Sequence, residues 1–283
     1  MIAGLGMGWF ITRPVPLPAA SIDGLAGDLV NGETIFAAAG CGSCHSAPEG
    51  DPLILAGGRT FPSDFGSFIA PNISPDPVHG IGAWSDLDLA SAITRGVSPG
   101  GAHYYPAFPY SAYNKAELAD IVDLIAYLRT LPPSTEPSQT HDVGFPFNIR
   151  AALGGWKLLF LSDDWALSDT TTPEISRGRY LVEALGHCTE CHTERNALGG
   201  LQLSHWLAGA PNPSGEGRIP NITPAGLDWS EGEIAEYLKS GFTPDFDTAG
   251  GEMAAVIRNT SQLTDADRAA IAAYLKAIPG IGE

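Results

Sequence analysis

Cys41-Gly42-Ser43-Cys44-His45 decides how this chain is read, because the pattern returns as Cys188-Thr189-Glu190-Cys191-His192. A Cys-x-x-Cys-His run is the attachment signature of c-type haem. The two thiols add across the porphyrin vinyl groups, and the adjoining histidine is carried beneath the iron as proximal ligand. The two runs use all four cysteines of the protein, leaving none for a disulfide or another metal site. Cys41, Cys44, Cys188 and Cys191 are therefore expected to hold two covalent haem c groups, with His45 and His192 on the irons. A thioredoxin-like redox pair would need a βαβ setting, which surrounds neither run. A zinc site would need four ligands gathered from both runs and has no use for the fixed trailing histidine.

Outward from these runs, the whole chain reads as one unit written twice. Asn31–Gly40 leads into the first run and Arg177–Gly186 into the second, each a short amphipathic helix ending at glycine. Pro71-Asn72-Ile73-Ser74-Pro75 then matches Pro220-Asn221-Ile222-Thr223-Pro224. Trp84-Ser85 matches Trp229-Ser230, with Asp88 and Glu233 placed for capping boxes. Gly96 and Gly241 are placed to end the following helices in the left-handed conformation. Two last helices follow, capped by Asn114 and Thr264 and stopped near Pro132 and Pro279. Their apolar faces are Ile121, Leu124, Ile125 and Leu128 in one, and Ile271, Tyr274, Leu275 and Ile278 in the other.

The expected fold is mainly α, with few or no strands. It has two tandem class I cytochrome c domains, residues 25–132 and 176–283. A linker over 133–175 carries an apolar helix, Ile149–Leu161, expected to pack between them. Residues 1–24 hold the apolar run Ile2–Thr12 and a proline-rich spacer. That run is shorter than the about 20 residues a bilayer span needs, and is read as the outer end of an N-terminal membrane anchor, the alternative being an export signal. Covalent haem attachment belongs to exported compartments, so the expected location is the periplasm.

The 283 residues carry a formal net charge of −17, which excludes a general binder of nucleic acid or anionic lipid. With 34 glycines and 23 prolines the composition suits a loop-rich fold wrapped around cofactors.

From Asp28 to Pro279 the chain resembles the bacterial dihaem class I cytochromes c. It is similar to the cytochrome subunits of membrane-bound alcohol, aldehyde and gluconate dehydrogenases. The resemblance rests on both haem runs, both Pro-Asn-Ile-(Ser/Thr)-Pro segments and Tyr105-Pro106-Ala107-Phe108-Pro109-Tyr110. It implies electron transfer without identifying the donor; the expected donor is a dehydrogenase or a quinol-side protein, and the expected acceptor a cytochrome or oxidase. Those subunits usually carry three haems, whereas this chain has two runs.

The far side of each iron separates the halves. Of the three methionines, only Met253 lies beyond the N-terminus, and it is the expected sixth ligand of the second haem. Trp229 precedes Met253 by 24 residues, and Trp84 precedes Phe108 by the same 24. In the resembled subunits this segment reads Tyr-Pro-Ala-Met-Pro-Tyr, so Phe108 stands where the resemblance implies a ligand. Phenylalanine cannot coordinate iron. The expected replacement is His103, giving a bis-histidine iron of lower potential; Tyr104 and Tyr105 are weaker candidates. The alternative is a five-coordinate iron beneath Phe108, open to a small ligand or peroxide, with His103 as a distal acid–base group. The first arrangement makes the protein an electron carrier and no enzyme; the second would make it a peroxidase-like enzyme or a gas-binding protein. His79, His141, His187 and His205 are read as surface, backbone-bonding or packing residues, and Arg59 and Arg218 as partners for the haem propionates.

Overall fold

The computed structural model describes residues 8, 10–47, 50–213, 215 and 217–282. Two compact units emerge. One comprises the described residues up to Glu33 with Cys44–Asp163, and the other Thr34–Ser43 with Asp164–Glu283. The first haem run therefore begins in the second unit and ends in the first, and the expected linker is divided at Asp163.

Each half runs through the same elements. In the first, α1 (Leu29–Ala38) precedes the one-turn helix α2 (Cys41–His45). A two-stranded antiparallel hairpin follows, β1 (Thr60–Ser63) with β2 (Gly66–Ile69). Then come α3 (Asp86–Arg95), the short α4 (Tyr110–Tyr113) and α5 (Leu118–Leu128). Helix α6 (Ala152–Phe160) lies in the divided linker. The second half has α7 (Pro173–Arg179), extended by a π-helical turn over Tyr180–Leu185, and then α8 (Thr189–His192). Strands β3 (Ala210–Pro211) and β4 (Arg218–Ile219) pair antiparallel. They are followed by α9 (Glu231–Ser240), α10 (Gly251–Thr260) and α11 (Asp265–Ala277).

First and last helices of each half cross at a glycine. A Cβ on Gly32 would stand 2.2 Å from the Asp123 carbonyl oxygen, and one on Gly178 would stand 1.9 Å from that of Ala270. Only a residue without a side chain lets the backbones approach so closely. Polar groups fix the same crossings. Asn31 Nδ2 donates to Asp120 at 2.8 Å and to Asp123 at 2.7 Å, while Arg177 Nε donates to Asp267 at 2.8 Å. In the second half a buried chain of bonds joins the layers. Trp206 Nε1 donates to the Tyr274 hydroxyl at 3.1 Å, and that hydroxyl donates to Glu183 at 2.7 Å. Glu183 also accepts from Ala166 N at 2.7 Å.

The capping signals read from the sequence operate in α3 and α9. Ser85 and Ser230 form full capping boxes with Asp88 and Glu233, and Gly96 and Gly241 close those helices with φ of 59° and 78°. Thr264 caps α11. Asn114 does not cap α5, which starts one residue after Glu117. Asn114 instead ends the turn Tyr110–Tyr113 and donates to Ser162 O at 3.0 Å. The apolar linker helix packs within the first unit, where Trp156 meets Tyr110 at 6.5 Å between ring centroids. Most of the expected anchor run lies outside the described residues. Among the described residues no helix is long and apolar enough to cross a membrane.

Candidate functional site

The two haem runs form one-turn helices, so Cys and His side chains spaced three and four residues apart lie along one side of a turn. None of the four cysteines is in a disulfide, so all four sulfurs are left for haem attachment.

Both histidines are set by the same backbone acceptor. Nδ1 of His45 lies 2.8 Å from the carbonyl oxygen of Pro71, and Nδ1 of His192 lies 2.8 Å from that of Pro220. A carbonyl oxygen only accepts, so each Nδ1 carries the proton and each Nε2 keeps its lone pair. Burial lowers both imidazole pKa values, and the bond to the proline carbonyl offsets part of that shift. The neutral ring with a fixed tautomer is the form that binds iron, and a hydrogen bond on the other nitrogen is how proteins orient a ligating histidine. Residues and geometry thus fit a covalently attached haem in each half: two thiols, and an imidazole whose Nε2 is left to the metal.

The repeated Pro-Asn-Ile-(Ser/Thr)-Pro segment is what holds those carbonyls. Asn72 Oδ1 accepts from Ser74 N, and Asn221 Oδ1 from Thr223 N, both at 2.9 Å. Their amide nitrogens then tie the loop to chain beyond the last helix, Asn72 to Ser134 O at 2.8 Å and Asn221 to Ile281 O at 2.7 Å. Two backbone bonds complete the frame, Gly57 N to His45 O at 2.7 Å and Gly209 N to His192 O at 2.8 Å. The repetition of this segment was visible in the sequence. That its working atom is the proline carbonyl was not, since a backbone acceptor leaves no residue-type signature.

The distal segments differ. In the first unit, Val97 pairs with His103 in an isolated antiparallel bridge, and in the second Phe242 pairs with Thr248 in the equivalent place. Five residues on stand Phe108 and Met253. Met253 is half-buried in the first turn of α10. Phe108 sits in an aromatic cluster, its ring centroid 5.9 Å from that of Tyr104 and 6.0 Å from that of Tyr113. Burial pushes the Tyr104 phenol up to about 12, which keeps it protonated at neutral pH. Tyr105 donates to Phe147 O at 3.3 Å beneath the Arg150 guanidinium. His103 is buried, and its Nε2 donates to Thr12 O at 2.8 Å.

His187 departs from its expected packing role. It occupies the position of Gly40, directly before the first cysteine, and shares the left-handed backbone, with φ of 40° against 62°. A side chain there is strained. Its Nε2 donates to Ala39 O at 3.1 Å inside the second unit. His141 Nδ1 accepts from Ile69 N at 3.1 Å, in line with the backbone-bonding role expected of it.

The cytochrome c family model matches residues 29–132 and 175–279, nearly the two tandem domains read from the sequence. The chain is 57% identical over 284 residues to a diheme cytochrome c-type protein of Cereibacter sphaeroides, covering 99% of this chain and 96% of that one. It is 37% identical over 290 residues to the fructose dehydrogenase cytochrome subunit of Gluconobacter japonicus, covering 100% of this chain and 58% of that one. It is 31% identical over 312 residues to the cytochrome c subunit of an alcohol dehydrogenase (quinone) of Gluconobacter oxydans, covering 100% of this chain and 63% of that one. It thus spans roughly six-tenths of each of the latter two. Two matched domains, each with its own thiol pair and carbonyl-locked histidine, place the chain in the cytochrome c family, as an electron carrier with two covalent haem c groups.

Proposed function

We propose that the protein is a periplasmic dihaem cytochrome that passes single electrons from a dehydrogenase to a downstream acceptor through two non-equivalent sites. The observation that carries this reading is the matched pair of bonds from His45 to Pro71 and from His192 to Pro220. It supports two sites alike on the proximal side, so that any difference between them arises on the distal side. When bound, each haem supplies an iron that cycles between ferric and ferrous states. The protein's part is to hold it by Cys41 and Cys44, or Cys188 and Cys191, to fix the proximal tautomer, and to set the potential.

Met253 is the proposed sixth ligand in the second half, and a thioether there raises the potential. With no methionine at Phe108, the first half takes the lower potential and faces the donor. The names of the fructose, alcohol and gluconate dehydrogenase cytochrome subunits among the relatives support a dehydrogenase as that donor.

The bond from His103 Nε2 to Thr12 O favours a first iron that Phe108 covers without a histidine sixth ligand; such an iron still passes single electrons, and an Nε2 held by Thr12 is not poised for the acid–base role of a peroxidase. Ligation by His103 Nε2 would require that bond to be given up. Visible spectra of the oxidised and reduced protein, with and without carbon monoxide, test the proposal. The expected result is carbon monoxide binding at one haem per chain and thioether-to-iron absorption from the other. Two irons that both refuse carbon monoxide, with His103→Ala opening one of them, would restore the bis-histidine site. Absence of the thioether band would remove Met253.

A further inference from the structure

The first haem run is held by the second unit before it reaches its iron ligand. Thr34–Ser43, which includes Cys41, belongs to that unit, and the first unit resumes at Cys44. Two side chains of the second half hold this piece. Asn259, on the same helix α10 as Met253, donates from Nδ2 to Ser43 Oγ at 2.8 Å. His187 donates from Nε2 to Ala39 O at 3.1 Å, two residues before Cys41. Ala39 is 2% exposed, and a hydrogen bond in so dry a place is stronger than one in water.

His187 is next to Cys188 in sequence, so one side chain joins the start of one haem run to the backbone before the other. From Cys188 the route passes along the main chain to His187, through the imidazole and its hydrogen bond to Ala39 O, and along Gly40 to Cys41. Its two ends are sulfurs that attach the porphyrins of different halves. The whole route lies within the second unit. The same residue is strained. His187 holds φ of 40°, a left-handed conformation that Gly40 adopts freely at the matching position with φ of 62°. A Cβ on Gly40 would stand 3.0 Å from Asn259 Nδ2, so glycine suits the first copy, whereas the second keeps a side chain against the backbone preference. Strain of this kind persists only where the surroundings hold it, and it gathers at functional sites.

We propose that His187 is a positioning residue for electron transfer between the haems: it fixes the first attachment run against the second and closes the bonded route between Cys41 and Cys188. The assignment rests on the reading in which one electron passes from the first site to the second. In that step the first iron goes from ferrous to ferric as the second goes from ferric to ferrous. No bond is made or broken and no proton moves.

Injection of one electron into the oxidised, haem-loaded protein from a photoexcited ruthenium tris-bipyridyl complex, with aniline as sacrificial donor, tests it. Absorbance at wavelengths where the two haems differ follows the exchange between them. His187→Gly is expected to slow that exchange several-fold. The same variant should leave the urea midpoint close to native, because relief of the backbone strain offsets the lost bond. His187→Gln, whose amide N–H is as many bonds from the backbone as Nε2 of histidine, should restore much of the rate. Asn259→Leu removes the other tie without touching the route and should change the rate far less. Exchange that His187→Gly leaves as fast as in the native protein would overturn the proposal alone, and a lowered urea midpoint beside that unchanged rate would make the role of His187 structural. Equal slowing by Asn259→Leu would overturn it too, since the route would then not run through His187. A native protein that shows no exchange at all would overturn the electron-transfer reading, and the proposal with it.

Discussion

In the first half the chain leaves Gly96, pairs Val97 with His103, and reaches Phe108 just before the four-residue turn Tyr110–Tyr113. In the second half it leaves Gly241, pairs Phe242 with Thr248, and reaches Met253 inside the ten-residue helix Gly251–Thr260. The proximal sides repeat closely, down to the 2.8 Å bonds from histidine to proline carbonyl. One framework thus carries two distal residues, an aromatic ring that cannot ligate and a thioether that can. The scaffold is written twice, and on the function proposed above one residue per copy sets the difference in redox character.

The largest effects should come from exchanging those two residues. Met253→Phe should lower the potential of the second site by a sizeable part of the about 0.8 V that axial ligands span. Spectroelectrochemistry would then show the two steps drawing together. Phe108→Met should act in the opposite sense, raising the first potential, but by less. Phe108 is packed among Tyr104, Tyr110 and Tyr113, so the new side chain must find its own route to the metal. If both variants leave both potentials in place, the distal segments do not set the asymmetry.

Next in size are the helix crossings. Gly178→Ala would put a methyl group 1.9 Å from the Ala270 carbonyl oxygen and should destabilise the second unit by about 1–3 kcal/mol. Gly32→Ala, 2.2 Å from Asp123 O, should cost a similar amount in the first. Urea unfolding followed at each haem's own absorption would assign each loss to its unit, and a loss shared equally by both would break the picture of two separate cores.

The smallest predicted effect depends on pH and sharpens the contrast at Gly96 and Gly241. Among the described residues only the first of these helix ends is bonded by a lysine, and burial holds the Lys157 ammonium down to about 8. Over the window from about 8 to the ordinary lysine value near 10.4, the unfolded chain binds the proton and the folded chain does not. The Lys157 contribution to stability therefore rises with pH through that window and is flat below it. The difference in urea midpoint between the native protein and Lys157→Met, measured across that range, should follow this course. A flat difference would mean that the folded lysine titrates as it does in water.

Much of this was legible in the sequence, for identifiable reasons. Covalent haem attachment needs two thiols and a histidine at fixed spacing, so Cys41–His45 and Cys188–His192 announce themselves. Ser85, Ser230, Gly96 and Gly241 act locally, and their roles follow from near neighbours alone. The proline carbonyls were hidden, because a main-chain oxygen is present at every residue. His187 escapes a sequence reading because pairing Gly40 with Gly186, the two helix-ending glycines, hides that His187 is the residue directly before the cysteine and shares the left-handed backbone of Gly40. The π-helical turn after Arg179 was invisible for a similar reason. It changes the hydrogen-bond register, with Gly186 N bonded to Leu181 O at 2.6 Å, but not the residue types. Asn114 resembled a cap because Glu117 follows at the right spacing, yet the helix starts later.

The central claim is that one framework carries two unlike irons. Potentiometric titration of the whole protein, with visible spectra recorded at each step, tests it most directly. The account predicts two one-electron steps at separate potentials, with the thioether-to-iron band belonging to the higher step and carbon monoxide reactivity to the lower. A single wave in which both haems titrate together with the same spectrum would contradict it.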